Sequence, residues 1–335
     1  FKQKTAYEIP KRDWSSDVCS SDLGWIGGRV TVRNDNVAVP PGPIRFTQLA
    51  PPGTRLSSGG ALSPDGLHLA FAAEDLASGR SRLWVRTLDS AQPHLYEGTE
   101  GASRPFWSPD SRTIGFFADG QLKTVPLAGG VPTSVVTVGP RPAGAAWSSR
   151  GQILFSTWLS GFSTISPSGG TPSKVTNLGN GEAAHAWPQF FADGDHFLFS
   201  VFGNNGGAFV GQVSTGERTR LLEADAGAVY SPAGFLLFTR KGILTAQRFN
   251  AGSLTLSGEP FAIVSGSVVP PTMTNGTILS ASSGGLVAFG GATGESELAW
   301  FDRNGKRLGA LAASVELHKP VVSQDERQGF ANSYF

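Results

Sequence analysis

Short apolar runs recur along this chain, paired around tight polar turns. The segment FWSPDSRTIGFF, Phe106 to Phe117, is the clearest unit. Phe106 and Trp107 are large side chains of the kind strands favour. Ser108-Pro109-Asp110-Ser111 then supplies a turn: proline presets φ at the second turn position, and Ser and Asp side chains bond nearby backbone amides. Thr113 to Phe117 resumes β-type composition. The pattern predicts a hairpin, and the hairpin repeats.

LSPDGLHLAFAA begins at Leu62 and is followed by a strand over Arg82 to Val85. The unit at Phe106 is followed by Leu122 to Val125, and AWSSRGQILFS from Ala146 by Phe162 to Ile165. QFFADGDHFLFS from Gln189 leads to Ala208 to Val213, and VYSPAGFLLFT from Val229 to Gly242 to Ala246. A weaker copy, LSASSGGLVAF from Leu279, leads to Leu298 to Phe301, and VVSQDERQGFA from Val321 is cut short. Aligned on the serine or its equivalent, the anchors are Ser63, Ser108, Ser148, Ala192, Ser231, Ser282 and Ser323, 39 to 51 residues apart. A period of roughly 40–45 residues is that of a propeller blade with four strands. Gly129-Gly130, Gly169-Gly170, Thr215-Gly216 and Asn304-Gly305 fall where the third strand turns into the fourth, and glycine tolerates the positive φ such turns need. The expectation is an all-β propeller of four-stranded blades over residues 44–335, with six visible repeats and the start of a seventh. Ser63, Pro64, Asp65, Gly66, Ser108, Pro109, Asp110, Ser231 and Pro232 are its structural turn residues. Ile44 to Ala50 is expected to add a strand that closes the ring.

Composition agrees with many short strands. The chain has 335 residues, 39% hydrophobic and only 16% charged, with 44 glycines and 22 prolines. That balance disfavours long helices. Basic and acidic residues number 27 and 26, so no basic patch argues for nucleic acid. No apolar run is long enough to span a membrane as a helix. Both ends read as cut: the chain opens on Phe1, its one methionine is Met273, and Phe335 falls partway into a repeat. Residues 12–23, RDWSSDVCSSDL, look like an in-frame translation of a sequencing adapter, and residues 1–23 are therefore set aside as unrelated sequence. The one cysteine, Cys19, lies there. Residues 24–43 are read as a juxtamembrane remnant, GWIGGRV, and a proline-rich linker, VAVPPGP.

The SPDG-type turns, flanked by aromatic and β-branched strands at this spacing, resemble the WD40-like (TolB-type) β-propeller repeats of bacterial proteins. A closer resemblance is to the extracytoplasmic sensor region of membrane-bound bacterial serine/threonine protein kinases. Gly98 to Gly130, His185 to Phe199 and Leu298 to Gly309 carry it. In such proteins a kinase precedes one membrane helix, a linker and the propeller, so the resemblance implies an extracytoplasmic, membrane-tethered location. The chain itself holds no glycine-rich phosphate loop, HRD or DFG motif. The resemblance implies a non-catalytic module that binds a protein or a small ligand at one propeller face, without cofactor. A free periplasmic TolB-like scaffold and a propeller gating a downstream peptidase are the alternatives.

Candidate chemistry is sparse. The histidines, His68, His94, His185, His196 and His318, show no metal-ligand spacing. His185, Trp187 and Asp193 are the ligand-site candidates, placed at one mouth of the propeller; the alternative is that Trp187 packs between blades and the histidines cap loops. Asp65, Asp110, Asp193 and Asp325 occupy equivalent turns, one per blade, which suits turn stabilisation better than acid–base pairing. No GxSxG elbow is present, and Gly203 to Gly207, GNNGG, reads as a hairpin tip. Trp84, Trp107, Trp147, Trp187 and Trp300 recur within repeats and are expected in the core.

Overall fold

The computed structural model describes residues 50–57, 60–90, 92–224, 227–241, 243–263, 279–282, 287–289, 298–301, 307–312, 318–322 and 329–332. The chain divides into Phe1–Thr47 and Gln48–Phe335. The segments of residues 1–43 expected to be adapter sequence, juxtamembrane remnant and linker, and the closing strand expected over Ile44 to Ala50, lie outside the described residues apart from Ala50.

Five antiparallel sheets follow one another along Gln48–Phe335. The first holds β1 (Thr54–Leu56), β2 (Ala61–Leu62), β3 (His68–Asp75), β4 (Ser81–Thr87) and β5 (His94–Leu95). Strands β1 and β2 both pair with β3, at different points along the same edge, as one interrupted inner strand. The second sheet is β6 (Ser103–Trp107), β7 (Thr113–Ala118), β8 (Gln121–Pro126) and β9 (Thr133–Thr137). The third is β10 (Pro142–Trp147), β11 (Ile153–Thr157), β12 (Ser163–Ile165) and β13 (Ser173–Lys174). The fourth is β14 (Glu182–Phe190), β15 (His196–Gly203), β16 (Gly207–Gln212) and β17 (Arg218–Leu222). The fifth is β18 (Val229–Ser231), β19 (Phe235–Arg240), β20 (Ile243–Asn250) and β21 (Thr255–Ala262). Three two-stranded pairs follow: β22 (Leu279–Ala281) with β23 (Val287–Phe289), β24 (Leu298–Phe301) with β25 (Arg307–Ala312), and β26 (His318–Val322) with β27 (Gly329–Asn332).

The count of six complete repeats and the start of a seventh is thus corrected: among the described residues, five sheets reach four or more strands. The reason is visible in the weaker sixth repeat. Ser283-Gly284 stands there in place of the Pro-Asp pair, and a stretch opening GGATG separates Phe289 from the next strand. Each glycine adds chain entropy that a ladder must overcome. Even so, β22 stands beside β18 on one side and β2 on the other, and the Leu62 N–H donates to Ser280 Oγ at 2.9 Å.

Period-2 alternation explains how the sheets stack, because successive strand residues face opposite neighbours. In β7, Ile114 and Phe116 pack towards the first blade with Leu83 and Val85, while Phe117 packs towards the third with Ile153 and Phe155. In β15, Phe197, Phe199 and Val201 join Leu154 and Phe162 of the third blade, and Leu198 joins Leu236 and Phe238 of the fifth. The second strand of each blade is buried on both faces and so reads as a near-continuous apolar run. Each such side chain contributes about 1.5–3 kcal/mol on burial.

The turn between first and second strands has one form in all five blades. The N–H of the residue three places after the anchor donates to the anchor carbonyl, at 2.9 to 3.0 Å, from Gly66, Ser111, Gly151, Gly194 and Gly234. All five donors have φ between 60° and 86°. In the first two blades the anchor serine also donates to the aspartate two residues on, as Ser63 does to Asp65 and Ser108 to Asp110 at 2.6 Å. This geometry corrects one alignment: the fourth anchor is Phe191, whose N–H donates to the His196 carbonyl as Ser63 N–H does to that of His68. Ala192 is the counterpart of Pro64 and Pro109.

Candidate functional site: the central cavity

The inner strands surround a cavity of about 510 Å³. Residues of β2, β6, β10, β14, β18 and β22 line it, and Pro64, Pro109 and Pro232 carry the wall into the turns at one mouth. The volume lies within the range of small-molecule sites.

Three inner strands are distorted at the same place. Ladder register breaks between Ser103 and Phe106, between Pro142 and Gly144, and between Ala186 and Gln189. A left-handed residue sits at each break, four positions before the turn anchor: Arg104 at φ 49°, Gly144 at 129° and Trp187 at 53°. For Arg and Trp that backbone costs on the order of 1–3 kcal/mol. Proline follows in two of the three, Pro105 and Pro188. A first strand at a sheet edge accommodates the missing N–H. Gly144 is needed because a Cβ there would stand 3.1 Å from Trp187 N and 3.3 Å from Trp187 Cα. Bulges of this kind re-aim side chains, and here they bring Arg104 and Trp187 into the wall of the cavity.

The wall is otherwise mainly apolar. Phe106, Trp147 and Tyr230 supply aromatic surface, and Ser149, Ser280 and Ser282 supply hydroxyls. The Gln189 amide is already committed: its Nε2 donates to the Tyr230 carbonyl at 2.9 Å and its Oε1 accepts from Tyr230 N at 2.7 Å, tying the fourth blade to the fifth. Trp107 Nε1 ties the second blade to the first through the Ala61 carbonyl at 2.8 Å. Arg104 is the one charged residue among the described residues of the wall. Burial lowers its pKa to about 10, which leaves it cationic at neutral pH. Trp187 is 6% exposed, packs edge-on against Phe202, and its Nε1–H has no acceptor among the described residues.

The three predicted ligand residues are not brought together. Trp187 lines the cavity. His185 is fully buried where the third and fourth blades meet. Its Nδ1 lies 2.8 Å from Thr176 Oγ1, and its Nε2 lies 3.0 Å from Glu182 Oε2 and 2.9 Å from Arg218 Nη1. Arg218 also donates to both Glu182 oxygens, at 2.7 and 2.8 Å. Burial, helped by the Arg218 charge, pushes the His185 pKa down against the pull of Glu182. Burial opposes ionisation of Glu182, yet hydrogen bonds from Arg218, the Gly179 N–H and His185 hold its carboxyl below the ordinary range. Asp193 sits in the turn, accepting from Asp195 N, His196 N and His196 Nδ1. Burial resists its ionisation, but these donors keep its pKa low. Of the five tryptophans expected in the core, Trp84, Trp107, Trp147 and Trp187 are buried or half-buried, and Trp300 lies outside the residues whose side chains are described.

Sequence reasoning missed Arg104. The signal was present in the repeat: Arg104-Pro105 and Trp187-Pro188 stand the same distance before Ser108 and the true fourth anchor, Phe191. Misplacing that anchor on Ala192 hid the correspondence.

No protein-family model matches the chain, and no curated protein matches it. Solved structures do. TolB from Acinetobacter baumannii is 16% identical with a TM-score of 0.48, over 57% of this chain and 51% of that one, so the chain spans about half the length of that relative. A functionally unknown protein from Desulfotomaculum acetoxidans is 14% identical with a TM-score of 0.53, over 76% and 85%. The β-propeller domain of Cps50 (Swd1) from Myceliophteria thermophila is 14% identical with a TM-score of 0.52, over 87% and 100%. At these identities the likeness to the latter two establishes the fold: the chain forms an all-β propeller of four-stranded blades.

Proposed function

We propose that this propeller is a non-catalytic binding module that takes a small ligand or a protein segment into its central cavity. One observation carries the reading: two residues held in costly left-handed backbone, Arg104 and Trp187, both line a cavity of ligand size. Strain of this kind collects at binding and active sites. The described residues of the wall offer stacking surface, a few hydrogen-bonding groups and the Arg104 cation, which is equipment for holding a molecule. A thermal-shift screen of a chemically diverse library against the full chain tests it. Hits are expected to lose at least tenfold in affinity in Trp187→Ala while the variant keeps its far-UV dichroism. Hits indifferent to Trp187→Ala, Trp147→Ala and Tyr230→Ala alike would place binding elsewhere.

The finer reading is an extracytoplasmic sensor tethered to a serine/threonine kinase. The resemblance of Gly98–Gly130 and His185–Phe199 supports it. Long-read sequencing of the source DNA upstream of residue 24 is expected to recover a kinase frame and an apolar span. A signal peptide there instead would favour a free scaffold.

A further inference from the structure

We infer that the cavity selects an uncharged group with a paired N–H donor and carbonyl acceptor, a carboxamide on an apolar body, and holds it on the inward-facing peptide groups of Trp107 and Phe190. The inference rests on the binding reading above and adds the ligand's chemistry.

It starts from the free edge of the inner strands. Among the described residues, β2, β6, β10, β14 and β18 each have a sheet neighbour on one side. Along an antiparallel ladder, residues whose peptide groups bond the neighbour alternate with residues whose groups point away. The turn anchor is of the first kind: Ser63, Ser108, Ser148 and Phe191 each donate their N–H to the start of the second strand. The residue before each anchor therefore points its N–H and C=O away from the sheet. These residues are Leu62, Trp107, Trp147 and Phe190, with Tyr230 in the fifth blade, and all five line the cavity.

Two of the five are capped by a side chain from the neighbouring blade. The Gln189 amide takes both peptide groups of Tyr230, at 2.9 and 2.7 Å. Ser280 Oγ accepts from the Leu62 N–H at 2.9 Å. Gln189 and Ser280 each stand two places before their own anchors, Phe191 and Ser282. At the same place the first and third blades carry Ala61 and Ala146, whose methyl groups neither donate nor accept. The register supports the equivalence of Ala146 and Gln189, since each lies two residues beyond a left-handed bulge residue, Gly144 and Trp187. In the second blade Phe106 occupies the place, its ring 6.4 Å from that of Trp147. The peptide groups of Trp107 and Phe190 thus face the cavity opposite alanine.

Peptide groups within apolar walls call for partners, and water serves until a group of matching pattern displaces it. Gln189 shows which pattern matches: a carboxamide meets the N–H and C=O of one residue together. An ionised acid lacks the donor, and a ketone or ester lacks it too. Other polar side chains of the wall are engaged within the protein, Trp107 Nε1 on the Ala61 carbonyl and Arg104 and Ser282 with partners of their own. Selection then falls to the peptide groups. A free aryl or alkyl carboxamide and the Gln side chain of a peptide share this chemistry.

The test uses matched pairs on the full chain, by calorimetry and thermal shift. One arm compares phenylacetamide and its alkyl counterparts with the corresponding methyl ketones. The other compares short apolar peptides containing Gln with the same peptides containing Met. Carboxamides are expected to bind about tenfold tighter than their partners, with no dependence on ionic strength. The arm that shows the ratio identifies the source of the amide. The double variant Ala61→Gln, Ala146→Gln places an internal amide at both positions; it is expected to melt no lower than the parent and to lose the ratio. If it does not fold, Gln189→Ala decides: uncapping Tyr230 is expected to give a larger carboxamide-dependent rise in melting temperature than the parent shows. Equal binding of carboxamides and ketones, or a ratio that survives in the folded double variant, would overturn amide selection and leave the binding reading standing. So would failure of both classes beside library hits that depend on Trp187. No cavity binder of any kind would sink both.

Discussion

Residues at the turns repeat more faithfully than any others in this molecule, because their backbone leaves little choice. The third residue after each anchor must be left-handed, and four of the five blades place glycine there. Ser111 is the exception at φ 60°, and its Oγ accepts from the Asp65 N–H of the neighbouring blade at 3.1 Å. Gly151 isolates the backbone term: its φ is 82° and a Cβ would meet nothing within 4 Å. Gly151→Ala is therefore expected to destabilise by about 1–2 kcal/mol through backbone conformation alone. Chemical denaturation should show a lower midpoint at unchanged slope; a midpoint equal to the parent's would mean the turn tolerates a side chain there. The aspartates belong to the same local chemistry. The Ser108 hydroxyl, followed by the Arg112 N–H, holds the Asp110 carboxyl below the ordinary range. That is the turn-stabilising role their spacing suggested.

At the scale of elements, the blade interfaces combine apolar stacking with a few polar ties, and the third and fourth blades carry the most of these. Ser148 Oγ donates to the Gly194 carbonyl at 2.6 Å, Arg150 Nε to the Asp193 carbonyl at 2.9 Å, and the buried His185–Glu182–Arg218 group lies in the same interface. This group makes the interface sensitive to pH. The folded His185 pKa is depressed, so below the unfolded value of about 6.5 the unfolded chain binds a proton that the folded chain refuses. Stability is therefore fully present above that value and falls as pH drops towards the folded pKa. Glu182 has the same sign but acts lower, within the carboxylate range. The melting temperature is expected to fall from about pH 7.5 to about pH 5.5, and His185→Gln to flatten that limb even though its overall stability is lower. Parallel curves for the two proteins would assign the limb to another group.

The whole molecule depends on closing a ring. Inner strands β18 and β2 are separated by about half of the chain, and β22 stands between them with Ser280 Oγ bonded to Leu62 N. The Gly66 turn likewise approaches Ser282, whose Oγ would lie 3.2 Å from a Cβ on that glycine. A chain ending at Ile263 would leave two inner strands without this neighbour. It is expected to lose the cooperative melt and to self-associate, as exposed strand edges do. Sedimentation velocity beside a thermal melt checks this; a monomer melting as sharply as the parent would show that the five larger sheets suffice.

Local chemistry determined a good deal here. Alternation of apolar positions, Pro-Asp turns and a regular spacing announced antiparallel four-stranded units, because each follows from backbone sterics and side-chain burial within a dozen residues. The strands over Arg82–Val85 and Leu122–Val125 fall within β4 and β8, and Leu298–Phe301 is β24 itself. Three matters were decided by tertiary structure alone. The number of larger sheets depended on whether weak glycine-rich strands found a ladder, a balance of chain entropy against pairing. The place of His185 depended on which blade interface its strand met, which no spacing reports. The pairing of Arg104 with Trp187 around one cavity arose because residues more than 80 positions apart share a radius only once the blades are arranged about it.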